Sequence, residues 1–153
     1  MRLALYQPDI PQNLGAAIRL AACLGVALDV IEPCGFPLTD RAMKRTALDY
    51  GAVAQVMRHA SLNAFQQAPE RQGGRLVLVE TDGAANFQAF AFAGGDTLVL
   101  GRESAGSPGE LYAAAQASVR VPMARGMRSL NVVIAGAIVL TEAMRQTGAW
   151  EKF

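Results

Sequence analysis

The chain has 153 residues, 52% hydrophobic and 18% charged, with a formal net charge of +1. This excludes a disordered chain and whole-molecule steering toward polyanions, and it allows one domain over residues 1–153 with a real core. The charged share lies below the roughly 25% of an average domain, so part of the surface is expected to be covered by a partner, most simply a second copy.

Leu3–Tyr6 is a short apolar run stopped by Pro8 and Pro11 and reads as a first strand. A helix is predicted from Asn13 to Leu24, capped by the Asn13 side chain and ended by Gly25. Ala27–Ile31 reads as a second strand, closed by Pro33. Thr39–Leu48 reads as a short basic helix carrying Arg41, Lys44 and Arg45. Val53–Met57 is predicted as a third strand and Ser61–Gln67 as a helix. Gly73-Gly74 and Gly94-Gly95 turn the chain into the predicted strands Leu76–Glu80 and Thr97–Leu100. Pro108 opens a predicted helix to Gln116, Val119–Val121 reads as the last strand, and Ser129–Gln146 as the last helix.

Strands alternate with helices, and each strand is a solid apolar run. That pattern points to an α/β fold, a mostly parallel sheet with helices on both faces. The last predicted helix is apolar almost all round from Val132 to Leu140, so burial on every side is expected, with a second subunit supplying part of the cover. Cys23 and Cys34 lack metal-ligand spacing and His59 cannot complete a zinc site with them, so no metal is expected. A reduced, cytoplasmic setting suits this cysteine usage. The segment MRLALYQPDI is too short and too soon broken by Pro8 for a signal peptide, and Val132–Leu140 is far short of a membrane span.

Two glycine- and polar-rich loops, within Thr97–Glu110 and Val119–Leu140, each follow an apolar run, and the C-terminal ends of strands are where open α/β sheets bind ligands. Gly101 and Gly106 let backbone approach a ligand. Gly101-x-x-x-x-Gly106 is followed by Ser107-Pro108 rather than Lys-Ser/Thr, and no G-x-G-x-x-G opens the first helix. Polyphosphates and dinucleotides are therefore disfavoured, whereas an adenosine head without phosphate is not. Arg19 follows Gly15 by one helical turn, so the bare glycine leaves room beside it for a substrate or a partner chain. Glu103 either orders its loop or points into a site and pairs with Arg19. Ser129 and Asn131 read first as caps of the last helix, a role that does not exclude ligand contact. Arg125 and Arg128 are placed to touch phosphate, and Arg41, Lys44 and Arg45 form either a solvated face or an extension of that surface. His59 reads as a strand-end or loop residue.

Three segments in order resemble the motifs of the SPOUT class of RNA 2′-O-ribose methyltransferases across essentially the whole chain. They are Asn13-Leu-Gly15-Ala-Ala-Ile-Arg19, then Leu98-Val-Leu-Gly101-Arg-Glu103-Ser-Ala-Gly106, then Val121-Pro122-Met with Ser129-Leu-Asn131. The short length, Ile31-Glu32-Pro33-x-Gly35-Phe36 and Leu48-Asp49-Tyr50 are similar to its TrmL-type subgroup, whose members methylate the wobble nucleotide, position 34, of certain tRNAs. The resemblance implies a C-terminal trefoil knot, a rare exception to ordinary topology. It implies S-adenosylmethionine as donor and S-adenosylhomocysteine as product, no metal, a homodimer, and a tRNA anticodon arm as substrate. Donor contacts are implied at Val79, Gly101, Gly106, Val121, Ser129 and Leu130, and chemistry at Arg19, Glu103, Ser129 and Asn131. RNA contacts are implied at Arg125, Arg128, Arg41, Lys44 and Arg45.

A guanidinium stays protonated in proteins, so Arg19 is expected to stabilise a developing alkoxide or clamp a phosphate rather than act as a base. Glu103 would hold Arg19 or a loop, while Ser129 and Asn131 would orient the hydroxyl or the methionine end of the donor. Two residues depart from the common pattern: Arg102 stands where Pro or Asn is frequent, and Val133 where a small polar residue is frequent. The motifs specify the reaction better than the nucleotide. The same chemistry on another tRNA or rRNA position, or a knotted RNA-binding protein without turnover, are the alternatives.

Overall fold

In the computed structural model, which describes residues 1–38, 50, 53–71 and 73–153, the apolar runs become the strands of one seven-stranded sheet. They are β1 (Arg2–Tyr6), β2 (Ala27–Ile31), β3 (Val56–His59), β4 (Leu76–Val79), β5 (Ala85–Asn86), β6 (Thr97–Leu100) and β7 (Ala117–Arg120). The order across the sheet is β3-β2-β1-β6-β4-β7-β5, and every pairing is parallel. The helices among the described residues are α1 (Pro11–Cys23), α2 (Leu62–Gln66), α3 (Gly109–Ala114) and α4 (Val132–Gln146), with short 3-10 turns between.

Successive strand residues face opposite sides, which divides the core in two. Leu3, Leu5, Val77, Val79, Leu98 and Leu100 pack with Leu14 and Ile18 of α1 and with Val139 and Leu140 of α4. Ala4, Tyr6, Leu76, Leu78 and Val99 pack on the other face with Phe65 of α2 and Leu111 of α3. Both faces are covered, which is why these strands read as unbroken apolar runs. A Cβ added at Gly136 would lie 2.7 Å from Leu100 Cδ1, so α4 rests close against β6 because that residue is glycine. Asp29, 1% exposed, is held by two bonds from the Arg2 guanidinium at 2.8 and 2.9 Å and by His59 Nε2 at 2.8 Å. A carboxylate buried in β2 is thus satisfied, and His59 is absorbed in that pairing.

Several predicted boundaries move. α1 begins at Pro11, which suits a first helical position because it has no N–H to satisfy, and Asn13 is not the cap. β3 starts at Val56, because Val53 and Ala54 turn back to hydrogen-bond the Tyr50 carbonyl. β7 lies two residues earlier than expected at its start, and α4 starts at Val132 rather than Ser129. β5 has no apolar run to announce it. The predicted helix over 39–48, with Arg41, Lys44 and Arg45, lies outside the described residues. No helix among the described residues is long and apolar enough to cross a membrane.

Candidate functional site

The segments leaving the C-terminal ends of β4, β6 and β7 gather with the start of α4 around a cavity of about 240 Å³. Val79, Val121, Leu130, Val132 and Ala135 give it an apolar wall. Glu80, Thr81, Arg102, Glu103, Arg128 and Ser129 line the remainder with Gly101, Gly106 and Met123. All six residues expected to touch the donor, Val79, Gly101, Gly106, Val121, Ser129 and Leu130, line this one space.

The loop after β6 is shaped by its own backbone. Arg102 N–H donates to the Gly106 carbonyl at 3.3 Å and Gly106 N–H returns a bond to the Arg102 carbonyl at 2.9 Å. Gly106 closes the turn at φ +65°, a conformation glycine adopts without steric cost. The tip is pinned by Asp9, whose carboxylate accepts from the Ser104 amide at 3.2 Å and from the Ser104 hydroxyl. Burial alone would raise the Asp9 carboxyl, but the bonds from Ser104 hold it below its ordinary value.

Of the two roles open to Glu103, the bonds favour ordering of the loop over pairing with Arg19. Its Oε2 accepts from Asn13 Nδ2 and, at 3.4 Å, from the Val132 amide. Asn131 Nδ2 donates to Asn13 Oδ1 at 2.9 Å, and Asn131 Oδ1 caps α4 by accepting from the amides of Val133 and Ile134 at 3.0 and 3.2 Å. Both ends of the Asn131 amide thereby bond to protein, one Nδ2 hydrogen is left over, and Asn131 is not among the residues lining the cavity. It ties the start of α4 to α1. Asn13, 9% exposed, is the hinge of this network, and sequence reading missed it by assigning it to the cap. A polar side chain inside the first turn after Pro11 was the available signal.

Arg19 is exposed on α1, outside the cavity lining, with its guanidinium carbon 5.2 Å from the centroid of the Tyr50 ring. Arg128 and Arg125 part company: Arg128 lines the cavity, whereas Arg125 is exposed on the same loop and does not. Ser129 lines the cavity and has no capping role.

Glu80 and Thr81 also went unrecognised, and Arg102 stood out only as a departure from the motif, although the rule that ligands sit at strand C-termini applied to β4 as much as to β6. Ser107 donates its hydroxyl to Glu80 Oε1. A Cβ at Gly101 would fall on Ser107 Oγ and lie 2.6 Å from Glu80 Oε1, so glycine is what leaves room for this pair. Arg102 Nε is buried without a hydrogen-bond partner, as is Gln7 Oε1 at the end of β1, where φ is +46°. Arg102 lines the cavity, and an unsatisfied buried polar atom there is a mark of a ligand site. An apolar wall, glycine-cleared backbone and a polar margin suit a ligand with a flat heteroaromatic head and a charged tail. Among the described residues no group of three or more His, Cys, Asp or Glu side chains is placed to hold a metal ion.

A family model for the SpoU rRNA Methylase family matches residues 1–141. A tRNA (cytidine(34)-2'-O)-methyltransferase from Ancylobacter novellus is 47% identical over 99% of this chain and 96% of its own length. A solved structure giving structural insights into the 2-OH methylation of C/U34 on tRNA is similar with a TM-score of 0.86 and 39% identity, covering 95% of this chain and 94% of that one. The SpoU methyltransferase AviRb from Streptomyces viridochromogenes, solved in complex with AdoMet, is similar with a TM-score of 0.83 and 26% identity, over 95% of this chain and 60% of that one.

Proposed function

The chain belongs to the SpoU rRNA methylase family, and we propose that it transfers the methyl group of S-adenosylmethionine to the ribose 2′-hydroxyl of nucleotide 34, a cytidine or modified uridine, in tRNA. The observation that carries this reading is the cavity at the strand ends, lined by all six expected donor residues, in a chain whose full-length relatives are named for that reaction. S-adenosylmethionine, when bound, supplies an electrophilic methyl group on a sulfonium. The protein's task is then to align the attacking hydroxyl and to balance the charge that develops on it.

Val79, Val121 and Leu130 offer the adenine an apolar face, and the glycines at 101 and 106 let main-chain groups reach it. Ser129 and Arg128 face the methionine end. The Asn13–Glu103–Asn131 network holds the loop after β6 against the start of α4, so the cavity keeps its shape while substrate binds. Arg19 stabilises the oxyanion or grips the adjacent phosphate.

Arg19 stands outside its own chain's cavity lining, and this supports a homodimer. A second copy seated on the exposed face of α1 would cover Met127 and Ile134, 64% and 54% exposed, and carry Arg19 toward the neighbouring cavity. The anticodon arm then lies across both subunits, meeting Arg125 and the basic segment with Arg41, Lys44 and Arg45. Residues 1–153 act as one domain, its C-terminal part forms the trefoil knot of the class, and the enzyme works in the cytoplasm.

The test is methylation of unfractionated tRNA from a strain lacking wobble 2′-O-methylation, with isotopically labelled S-adenosylmethionine and nuclease mapping by mass spectrometry. Label is expected on the ribose of nucleotide 34. Label at another nucleotide would replace the wobble reading, and binding of donor without any transfer would favour an RNA-binding protein without turnover.

A further inference from the structure

We propose that Glu80 binds the donor, its carboxylate accepting hydrogen bonds from the two ribose hydroxyls of the adenosine moiety while Ser107 holds it in place. This rests on the reading that the donor occupies the cavity.

Glu80 directly follows Val79 at the end of β4, and both line the cavity. Its backbone is fixed, because Glu80 N–H donates to the Val119 carbonyl at 3.0 Å and extends the ladder to β7 by one bond. Its side chain is fixed as well. Ser107 donates to Oε1, and the absence of a side chain at Gly101 clears the space both groups occupy. Oε2 receives no hydrogen bond from the described residues, and Oε1 keeps a second lone pair. An ordered carboxylate with spare acceptor capacity on both oxygens is complementary to two neighbouring hydroxyl donors, and bonds to a charged acceptor are the strong ones.

The donor molecule offers three hydrogen-bond-donating groups: the adenine amino group, the ribose diol and the methionine ammonium. A base lying on Val79 and Val121 has its sugar attached directly, next to the residue that follows Val79. The ammonium lies several bonds further on, beyond the sulfonium. The diol is therefore the group that Glu80 meets. Main-chain contacts alone read the base, whereas Glu80 makes the site demand a ribose.

Calorimetric titration with S-adenosylhomocysteine and two analogues, one lacking both ribose hydroxyls and one lacking the amino group, tests the assignment. Glu80→Gln is expected to weaken S-adenosylhomocysteine by about tenfold and to leave the affinity for the dideoxy analogue unchanged, because the interaction lost is already absent there. Ser107→Ala, which frees the carboxylate without removing it, is expected to give a smaller loss with the same dependence on the hydroxyls. Thermal melting of both variants checks the fold, and the serine variant alone decides if the glutamine variant does not fold. Equal weakening of both ligands, no weakening, or a loss that disappears with the des-amino analogue would overturn the proposal. Val121→Glu separates this from the reading beneath it. If it leaves S-adenosylhomocysteine affinity intact, the donor is not in this cavity and both fall; if it abolishes binding while Glu80→Gln has no effect, only the assignment of Glu80 falls.

Discussion

The side-chain amide of Asn131 donates to that of Asn13 at 2.9 Å across 118 positions of sequence, and Asn13 passes the connection on to Glu103. The first turns of α1 and α4 and the loop after β6 are locked by these three side chains. Asn13→Ala leaves a partly buried carboxylate and an amide without their partner, which costs about 1–3 kcal/mol. We expect denaturant unfolding to report that loss and donor affinity to fall with it, since the loop lines the cavity. Unchanged values of both would mean that the network is ornamental.

Arg19→Ala is expected to lower methyl transfer by about 10²–10³-fold, the usual effect of removing a preorganised donor to a developing oxyanion. Donor affinity is expected to stay at its original value, because the role given to Arg19 is to meet the attacking hydroxyl or its adjacent phosphate rather than the donor. Arg19→Lys should restore only part of the rate, a point charge being a poor substitute for a planar fork. Single-turnover kinetics beside calorimetry checks the split, and a parallel loss of donor affinity contradicts the role given to Arg19.

Gly101→Ala puts a methyl group on Ser107 Oγ and 2.6 Å from Glu80 Oε1. Both side chains must move, at about 1–3 kcal/mol of overpacking strain or an equivalent loss of binding. Titration with S-adenosylhomocysteine, set beside a melting curve, shows how the cost divides. A variant equal to the parent in both measurements would show that the pair has slack.

The phenols of Tyr6 and Tyr112 are both pushed up to about 12, first by burial and then by hydrogen bonds to Glu110 and Asp82 respectively. The folded state favours the neutral phenol, so this stabilisation is complete below an ordinary tyrosine value of about 10 and is lost as pH rises toward about 12. Urea unfolding between pH 8 and pH 12 should show the decline, and Tyr6→Phe should flatten part of it. An alkaline limb unchanged by that substitution would remove Tyr6 as its source.

Arg125 and Arg128 occupy one loop but face different surroundings, so their alanine variants should differ. Arg125→Ala is expected to weaken tRNA binding alone and to reduce the slope of log affinity against log salt by about one. Arg128→Ala is expected to weaken donor binding too, since its side chain lines the cavity. Filter binding across a salt series, with donor titrations alongside, distinguishes the two. Identical behaviour would contradict the separation.

The fold class was legible because a parallel sheet buried on both faces leaves a local trace, the solid apolar runs at Leu3–Tyr6, Leu76–Val79 and Thr97–Leu100. The cavity was half legible for a related reason. Gly101 and Gly106 declare backbone that must come close to something, and the resemblance to the SPOUT class implied donor contacts at Val79, Val121, Ser129 and Leu130, which line the same cavity. Arg128 was legible as a candidate for RNA contact, but its place in the cavity lining was not, since nothing local tells the two sides of a loop apart.

By itself, the sequence determined the apolar runs, the glycine turns and the residue types at the strand ends, because these follow from backbone freedom and side-chain periodicity within a few residues. Only the tertiary structure decided that β6 lies between β1 and β4, that Asn13 answers to Glu103 and Asn131 instead of capping α1, and that Glu80 stands over Gly101. Those facts join residues far apart in the chain. Their partners are chosen by how helices crowd a shared sheet, and no short-range preference records that choice.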